Sequence, residues 1–373
     1  MSKKNELELA KKEAESTITQ TNKKIEELGN NVESLYKELS TIQDRFDKIR
    51  NVPSDKKTEY EKTKKVVSNW KQHVEKIEKA QSEKMAKEAG VGVAGVGAGI
   101  AVAACGPSVA MGIATTFGVA STGTAISTLS GAAATNAALA WLGGGAIAAG
   151  GGGMAAGKLL LTLAGPVGWA IAGVSLLGSG IFLGVSLRNQ NKLYDIFISI
   201  SKRDTKKYKL SIQEINSRIE LIKDAILHLR TALIRITSFG LDYMAMTESQ
   251  QYELGSYVNL MYSSTQLLVE PIKNLQPFFD ASDYDSFLKY RLENNLSLPN
   301  SKYQDAIISL CNLIFNIYME DRDRTLFCNA MKKNKDFLSS LRIDKDTFEN
   351  IVMVYAFKAR SFKYKINREA KIN

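Results

Sequence analysis

Gly152-x-x-x-x-Gly157-Lys158, inside "GGGGMAAGKLLL" (Gly150 to Leu161), has the residue types and spacing of a phosphate-binding loop. In such a loop backbone amides cradle phosphates, the lysine reaches the outer phosphates, and the next residue gives a hydroxyl to magnesium. Here that next residue is Leu159, no strand pattern precedes Gly150, and the next acid downstream is Asp195. A metal would have no nearby carboxylate to hold it. Gly90-x-Gly92-x-x-Gly95 has the dinucleotide-binding spacing, but a charged helical stretch precedes it and no acid stands about 20 residues on to hold a ribose. Neither glycine motif supports a nucleotide site.

Other chemistry is equally thin. His73 and His228 are the only histidines, each beside an apolar helical seam. Cys105, Cys311 and Cys328 are odd in number and lack metal-ligand spacing, so zinc of the usual composition is not expected. Free thiols and a reducing compartment are. Ser and Cys nucleophiles have no base partner at a telling spacing. Asp280, Asp283 and Asp285 alternate, but without the glycine and distal glutamate of a calcium loop they read as a solvated turn. The C-terminal "KARSFKYKINREAK" interleaves Lys358, Arg360, Lys363, Lys365, Arg368 and Lys371 with Phe362 and Tyr364. Such a mixture suits an anionic membrane or nucleic acid, and a solvated terminal helix is its simplest reading. No catalytic, cofactor-binding or metal-ligating residue is assigned, and the chain is not read as an enzyme.

The elements around these residues are more informative. Ile18, Thr21, Ile25, Leu28, Val32, Leu35, Leu39, Ile42, Phe46 and Ile49 alternate steps of three and four, the mark of one apolar seam on a heptad helix. Pro53 interrupts the pattern, which resumes at Tyr60, Val67, Trp70, Val74 and Ile77. Ile49 to Tyr60 keeps heptad phase, as a kinked rod does, while Pro-Ser-Asp also starts a fresh helix; two antiparallel helices are the favoured reading. A second seam runs through Ile212, Ile215, Ile219, Ile222, Ile226, Leu229, Leu233 and Ile236 and ends near Gly240. Helical spacing returns from Tyr252 to Leu275. A loop through "FFDASDYDS" and "ENNLSLPNSKY" then leads to helices at about 302–320, 324–340 and 345–360. No strand alternation and no solenoid repeat is present.

Between the seams lies an anomaly. Twenty-four of the 27 glycines fall between Gly90 and Gly184, and Lys158 is the only charge between Glu88 and Arg188. The net charge of +10 divides as +3 for residues 1–88, +1 for the centre and +6 for 188–373. At about 20 apolar residues per crossing the block has room for several spans, of which Val91 to about Ala114 and Leu159 to about Leu187 look strongest. Gly95/Gly99, Gly153/Gly157 and Gly180/Gly184 are small-xxx-small pairs that allow close helix approach in lipid. With Trp141, Trp169 and Lys158, they form the expected membrane-inserting set. Lys84 and Lys87 before the block and Arg188 and Lys192 after it place positive charge at both ends, as a hairpin or an even number of spans requires. Lys158 sits at a span boundary within snorkelling reach of headgroups, so Lys158→Ala should alter insertion, not nucleotide affinity.

The partition expected from the sequence is residues 1–88 as heptad helices, 89–187 as the Gly/Ala-rich membrane region, 188–276 as a second rod with an amphipathic helix, and 277–373 as a C-terminal helical module. The fold class is all-α, an elongated coiled-coil-like helical bundle with a central hydrophobic hairpin. Ile25, Leu28, Val32, Leu35, Ile219, Ile222, Ile226 and Leu229 are the expected rod or oligomer seam.

This arrangement resembles the α-helical pore-forming toxins of the cytolysin A and haemolysin BL type. Rods at 8–88 and 205–240 flank one central hydrophobic element at 89–187, and no residue-level signature is shared. The resemblance implies an element packed on the helices in a soluble form, which swings out, inserts into a lipid bilayer and oligomerises, with itself or with a partner toxin or sensor protein. The apolar block is longer than a two-helix tongue. The start "MSKKNELELAKKEAES" has no apolar stretch, so no cleavable secretion signal is expected. That favours a cytoplasmic soluble form or an inner-membrane site, and a self-killing bacterial defence role. Nucleic acid is not an expected partner. The alternative is a constitutive membrane-anchored scaffold whose rods bind other proteins.

Overall fold

The computed structural model of the chain describes residues 2–90, 107–118, 186–333, 337–338, 341 and 343–372. It is all-α, about 85% helical. The described residues hold no strand, only an isolated bridge between Arg50 and Asp242. The helices are α1 (Lys3–Asp47), α2 (Ser54–Gly90), α3 (Pro107–Phe117), α4 (Leu187–Ser238), α5 (Glu248–Val269), α6 (Ala281–Glu293), α7 (Gln304–Ile314), α8 (Asp321–Met331) and α9 (Met353–Ile372). They form two compact units, one of residues 1–21, 127–209 and 276–373, the other of 22–126 and 210–275. Both units are assembled from segments far apart in sequence.

In the 22–126/210–275 unit the question of Pro53 is settled. α1 ends at Asp47 and α2 starts at Ser54, with Asn51 at φ 58° in the turn. α2 doubles back on α1: Phe46 stacks on Tyr60 at 5.4 Å, and Tyr36 meets Trp70 at 5.6 Å. α4 runs parallel to α1, because Glu38 pairs with Arg230 at 2.7 Å while Arg45 donates to the Thr237 carbonyl at 3.1 Å. α5 runs back along α4 through Arg235–Glu253 and through Arg218, which donates to the Leu267 and Glu270 carbonyls. α2 and α5 also touch. The first seam is buried as its spacing predicts, from Ile18 to Ile49, and so are Tyr60, Val67, Trp70, Val74 and Ile77.

The second seam is turned. Ile215, Ile219, Ile222, Leu229 and Ile236 are buried, but the row completing their face is Ser211, Ala225, Ala232 and Phe239. Ile212, Ile226 and Leu233 stay only half-buried. Small alanines let a neighbouring helix approach closely, and a reading that weighs only large apolar residues passes over them.

The other unit has its own core, in which Leu193, Phe197 and Ile200 of α4 pack with Phe279, Phe287, Ile307, Phe327 and Phe348. "FFDASDYDS" is not a loop. Asp280 caps α6, its carboxylate accepting from the Asp283 amide at 2.9 Å, while the Asp283 carboxylate accepts from the Asp280 amide at 3.1 Å. This is a capping box with aspartate in the place usually held by glutamate or glutamine. Lys363 pairs with Asp283. The helices expected at about 324–340 and 345–360 are α8 and α9, with a π-helical turn at Phe348–Val352 leading into α9.

"SKRDTKKYK" lies within α4 and is partly internal. Arg203 donates to the carbonyls of Asn312 and Leu313 at 3.2 and 3.0 Å and to that of Phe315, closing the C-terminal end of α7. It pairs with the buried Asp204 at 2.8 Å. From α9, Arg360 donates to the Ile314 and Ile317 carbonyls. Two cations thus satisfy a helix end that would otherwise hold orphan acceptors.

Lys207 donates to the Gln276 carbonyl and lies 4.1 Å from the Phe278 ring centre. Burial, the largest influence, pulls its ammonium down to about 8, against the opposing pull of Asp204. Between about 8 and the ordinary 10.5, the unfolded chain keeps a proton that the folded chain has released. The folded state therefore gains stability as pH rises through that window. In urea titrations from pH 7.5 to 9.5, stability of the parent chain relative to Lys207→Met should rise by about 2 kcal/mol. A flat difference removes the assignment.

Candidate functional site: the seat of an apolar helix

Apart from its ends (89–90 and 186–187), the described part of the uncharged block is the stretch 107–118, and it is embedded in protein. α3 carries no charge. Ala110, Ile113, Ala114, Thr115 and Thr116 are essentially inaccessible, and Met111 is buried. Its neighbours are α1, α2 and α5.

The approach to α1 is as close as backbone allows. A Cβ on Gly29 of α1 would stand 1.8 Å from the Ser108 carbonyl oxygen, and one on Gly112 of α3 would stand 2.3 Å from the Ile25 oxygen. The two glycines face each other, so neither position accepts a side chain while the helices keep this distance. A glycine inside a 45-residue helix forfeits about 1 kcal/mol against alanine, a cost the crossing explains.

The C-terminal end of α3 is fastened by hydrogen bonds. Ile272 donates its amide to the Thr116 carbonyl at 2.8 Å, and Gly118 donates to Ala114 at 2.9 Å. Gly118 has φ +73°, where a Cβ would lie 2.6 Å from the Val269 oxygen. The segment receiving it is itself anchored on α4: the Glu214 carboxylate accepts from the amides of Lys273 and Asn274 at 2.7 and 3.0 Å.

The arrangement offers shape and apolar contact, with no reactive group. Among the described residues no group of His, Cys, Asp or Glu is placed to hold a metal ion. Cys311 and Cys328 are free and buried in the other unit, with burial pushing both thiols up. His73 is half-buried, and burial lowers its imidazole. His228 is exposed, 3.5 Å from Asp224. Asp280 and Asp283 are occupied as helix caps.

The expected inserting residues Gly95, Gly99, Trp141, Gly153, Gly157, Lys158, Trp169, Gly180 and Gly184 lie outside the described residues. The backbones of Lys84 and Lys87 lie in α2. Arg188 and Lys192 are exposed at the start of α4, with Lys192 3.8 Å from Asp323. Of the seam residues, Ile25, Leu28, Val32, Leu35, Ile219, Ile222 and Leu229 are buried inside the chain itself, and Ile226 is half-buried. A second copy could meet them only if the helices separated.

Of the two spans expected, Val91 to Ala114 is described only from Pro107 onward, and Leu159 to Leu187 only at its last two residues. Among the described residues no helix is long and apolar enough to cross a membrane. At 1.5 Å per residue the eleven residues of α3 reach about 16 Å, half of a hydrocarbon core. Sequence reasoning missed Gly29 as the partner of this block. The signal was available, since it is the one glycine in an otherwise unbroken heptad pattern. No family model matches the chain, and neither a curated protein nor a solved structure matches it.

Proposed function

We propose that this chain is a membrane-inserting helical protein that oligomerises and permeabilises a lipid bilayer, a pore-forming toxin or self-killing defence effector. Its coiled-coil-like rods hold the apolar block, and a hairpin region within 89–187 is what enters the membrane. The observation that carries the reading is the 99-residue stretch with one charge between two heptad helices. Lipid is the solvent in which so long an uncharged, glycine-rich stretch is at its lowest free energy, and a water-exposed form must cover it with protein. The seat of α3 supports storage of this kind. The seat is apolar and closely packed, yet a short helix held through glycine contacts and a few backbone hydrogen bonds has less to lose on leaving than a leucine-rich core helix.

Purified chain added to dye-loaded vesicles containing anionic phospholipid is expected to release the dye in a concentration-dependent way. Vesicles that stay intact at every pH and protein concentration would sink the reading. Fractionation separates it from a constitutive scaffold: a pool that is first water-soluble and later membrane-bound fits insertion, whereas a chain that detergent alone ever extracts fits the scaffold.

A further inference from the structure

The basic, aromatic C-terminal helix is used by neither the seat of α3 nor the inserting block. α9 packs beside α6, and between them opens a groove of about 540 Å3. Four of its ten lining side chains are cationic, Arg291, Arg324, Lys358 and Lys365, and none is acidic. The nearest acids stand outside it: Asp321 reaches Arg324 at 3.0 Å, and Glu369 reaches Lys365 at 4.0 Å. Lys358 is exposed, with the Tyr355 ring 5.3 Å away.

Beside the groove, the last turn of α6 and the loop after it do something unusual for a water-facing surface. Leu292, Leu296 and Leu298 are 65%, 43% and 48% exposed. The loop is held in this form from within. Arg291, itself buried, donates to the Ser297 carbonyl at 2.7 Å, and the Tyr355 hydroxyl stands 3.1 Å from Ser297 Oγ. The Leu296 amide donates to the Arg291 carbonyl at 2.8 Å, and Asn295 takes φ 53° to make the turn. Ser297 is tied to Arg291 and Tyr355 by these contacts, and the leucines on either side of it stay exposed.

We infer that this face docks on a bilayer surface containing anionic phospholipid, the leucines entering the interfacial layer while Arg324, Lys358 and Lys365 meet phosphate groups. Charge complementarity selects an anionic partner. The leucines select lipid over single-stranded nucleic acid, because a phosphodiester chain has no use for three exposed aliphatic side chains. The aromatic rings select the same way. Base stacking needs an open ring face, and here Arg324 and Arg360 lie 5.1 and 4.7 Å from the Phe357 ring centre. The Tyr290 ring is met by Phe362 at 5.0 Å and Lys365 at 5.9 Å. The inference rests on the reading of the chain as a membrane protein and adds the surface that meets the bilayer first.

The test separates docking from permeabilisation. The full-length chain is sedimented with phosphatidylcholine vesicles with and without phosphatidylserine, and dye release is read on the same samples. Two variants are compared, Leu296→Ser/Leu298→Ser and Lys358→Glu/Lys365→Glu. All four positions are on the surface, so helicity by circular dichroism and the melting temperature should be unchanged. Expected is binding that needs the anionic lipid, weakens with salt, and falls about tenfold or more in each variant. Variants that bind like the parent overturn the docking face even if dye release persists. Parent binding that is lost in the variants, with no dye release from either, upholds the face and rejects the pore. Equal binding to neutral vesicles overturns the inference. So does a chain that ignores vesicles and binds a fluorescent oligonucleotide through the same lysines.

Discussion

Gly29→Ala is expected to lower the stability of the folded chain by about 2 kcal/mol, although the same change in an isolated helix stabilises it. Alanine is the better helix former by about 1 kcal/mol, so local propensity alone gives the opposite sign. The new Cβ would stand 1.8 Å from the Ser108 oxygen, 2.7 Å from its carbonyl carbon and 3.1 Å from the Gly112 nitrogen. All three obstacles are backbone, so no rotamer change relieves them and α3 must move as a body. Ala110, Ile113 and Ala114 then lose their fit, the kind of misfit that costs about 1–3 kcal/mol in a packed interior. Gly255 is the control: it lies within α5 with nothing inside 4 Å of a built Cβ, and Gly255→Ala should gain about 0.5–1 kcal/mol. Opposite signs at two helical glycines, read by urea denaturation, isolate the α3 contact. On the proposed function Gly29→Ala also releases dye at a lower protein concentration than the parent, since it loosens a stored element. If both substitutions stabilise equally, α3 does not occupy this seat.

Arg203→Met should cost more, about 3–5 kcal/mol. The substitution keeps the aliphatic stem but takes the guanidinium away from three carbonyl groups at the end of α7 and leaves the Asp204 carboxylate buried without its paired cation. Burial already raises the Asp204 carboxyl, and the adjacent Arg203 charge opposes that rise. Removing the guanidinium leaves desolvation opposed only by the Lys207 charge, so the carboxyl is pushed further up and the ionised form becomes costlier to bury. Asp204→Asn in the Arg203→Met background should recover part of the loss, because it removes the buried charge and leaves only the lost carbonyl contacts. A double-mutant cycle reads that recovery as coupling. Lys209, which pairs with Glu13 at 2.7 Å with both side chains more than half exposed, supplies the contrast. Lys209→Met is expected to change stability by under about 0.5 kcal/mol. Equal effects at the two positions would remove Arg203's special role.

Local patterns carried well from sequence to structure, and long-range partners did not. The heptad spacing from Ile18 to Ile49 predicts a buried face because large apolar residues at three-four steps can lie nowhere else. The face of α4 turned because Ala225 and Ala232 pack by being small, which hydrophobic size alone does not weight. α6 was hidden because aspartates at 280, 283 and 285 are turn formers in one context and helix caps in another, and only the backbone around them decides. Nothing local to the basic patch "SKRDTKKYK" points to its internal role, since the carbonyls Arg203 closes lie 109 to 112 residues further along. Gly29 was the opposite case, a local irregularity whose cause sits some 80 residues away in a block whose composition points to lipid and not to α1 as its neighbour.

The parallel course of α1 and α4 carries a consequence for biosynthesis. Glu38 and Arg230 are 192 residues apart in the chain. At about 5–20 residues per second, a ribosome takes roughly 10–40 s to deliver one after the other. For most of that interval α1 and α2 have been made but the helix that covers their seam has not. The uncharged stretch emerges during the same wait, ahead of α5 and of the turn that fastens α3. A nascent chain of this order offers greasy surface to whatever is nearest, and a holdase or the translating cell's own membrane is nearer than the missing helix. Yield of the water-soluble form is therefore expected to depend on chaperone supply and translation rate more than on the equilibrium stability of the finished fold.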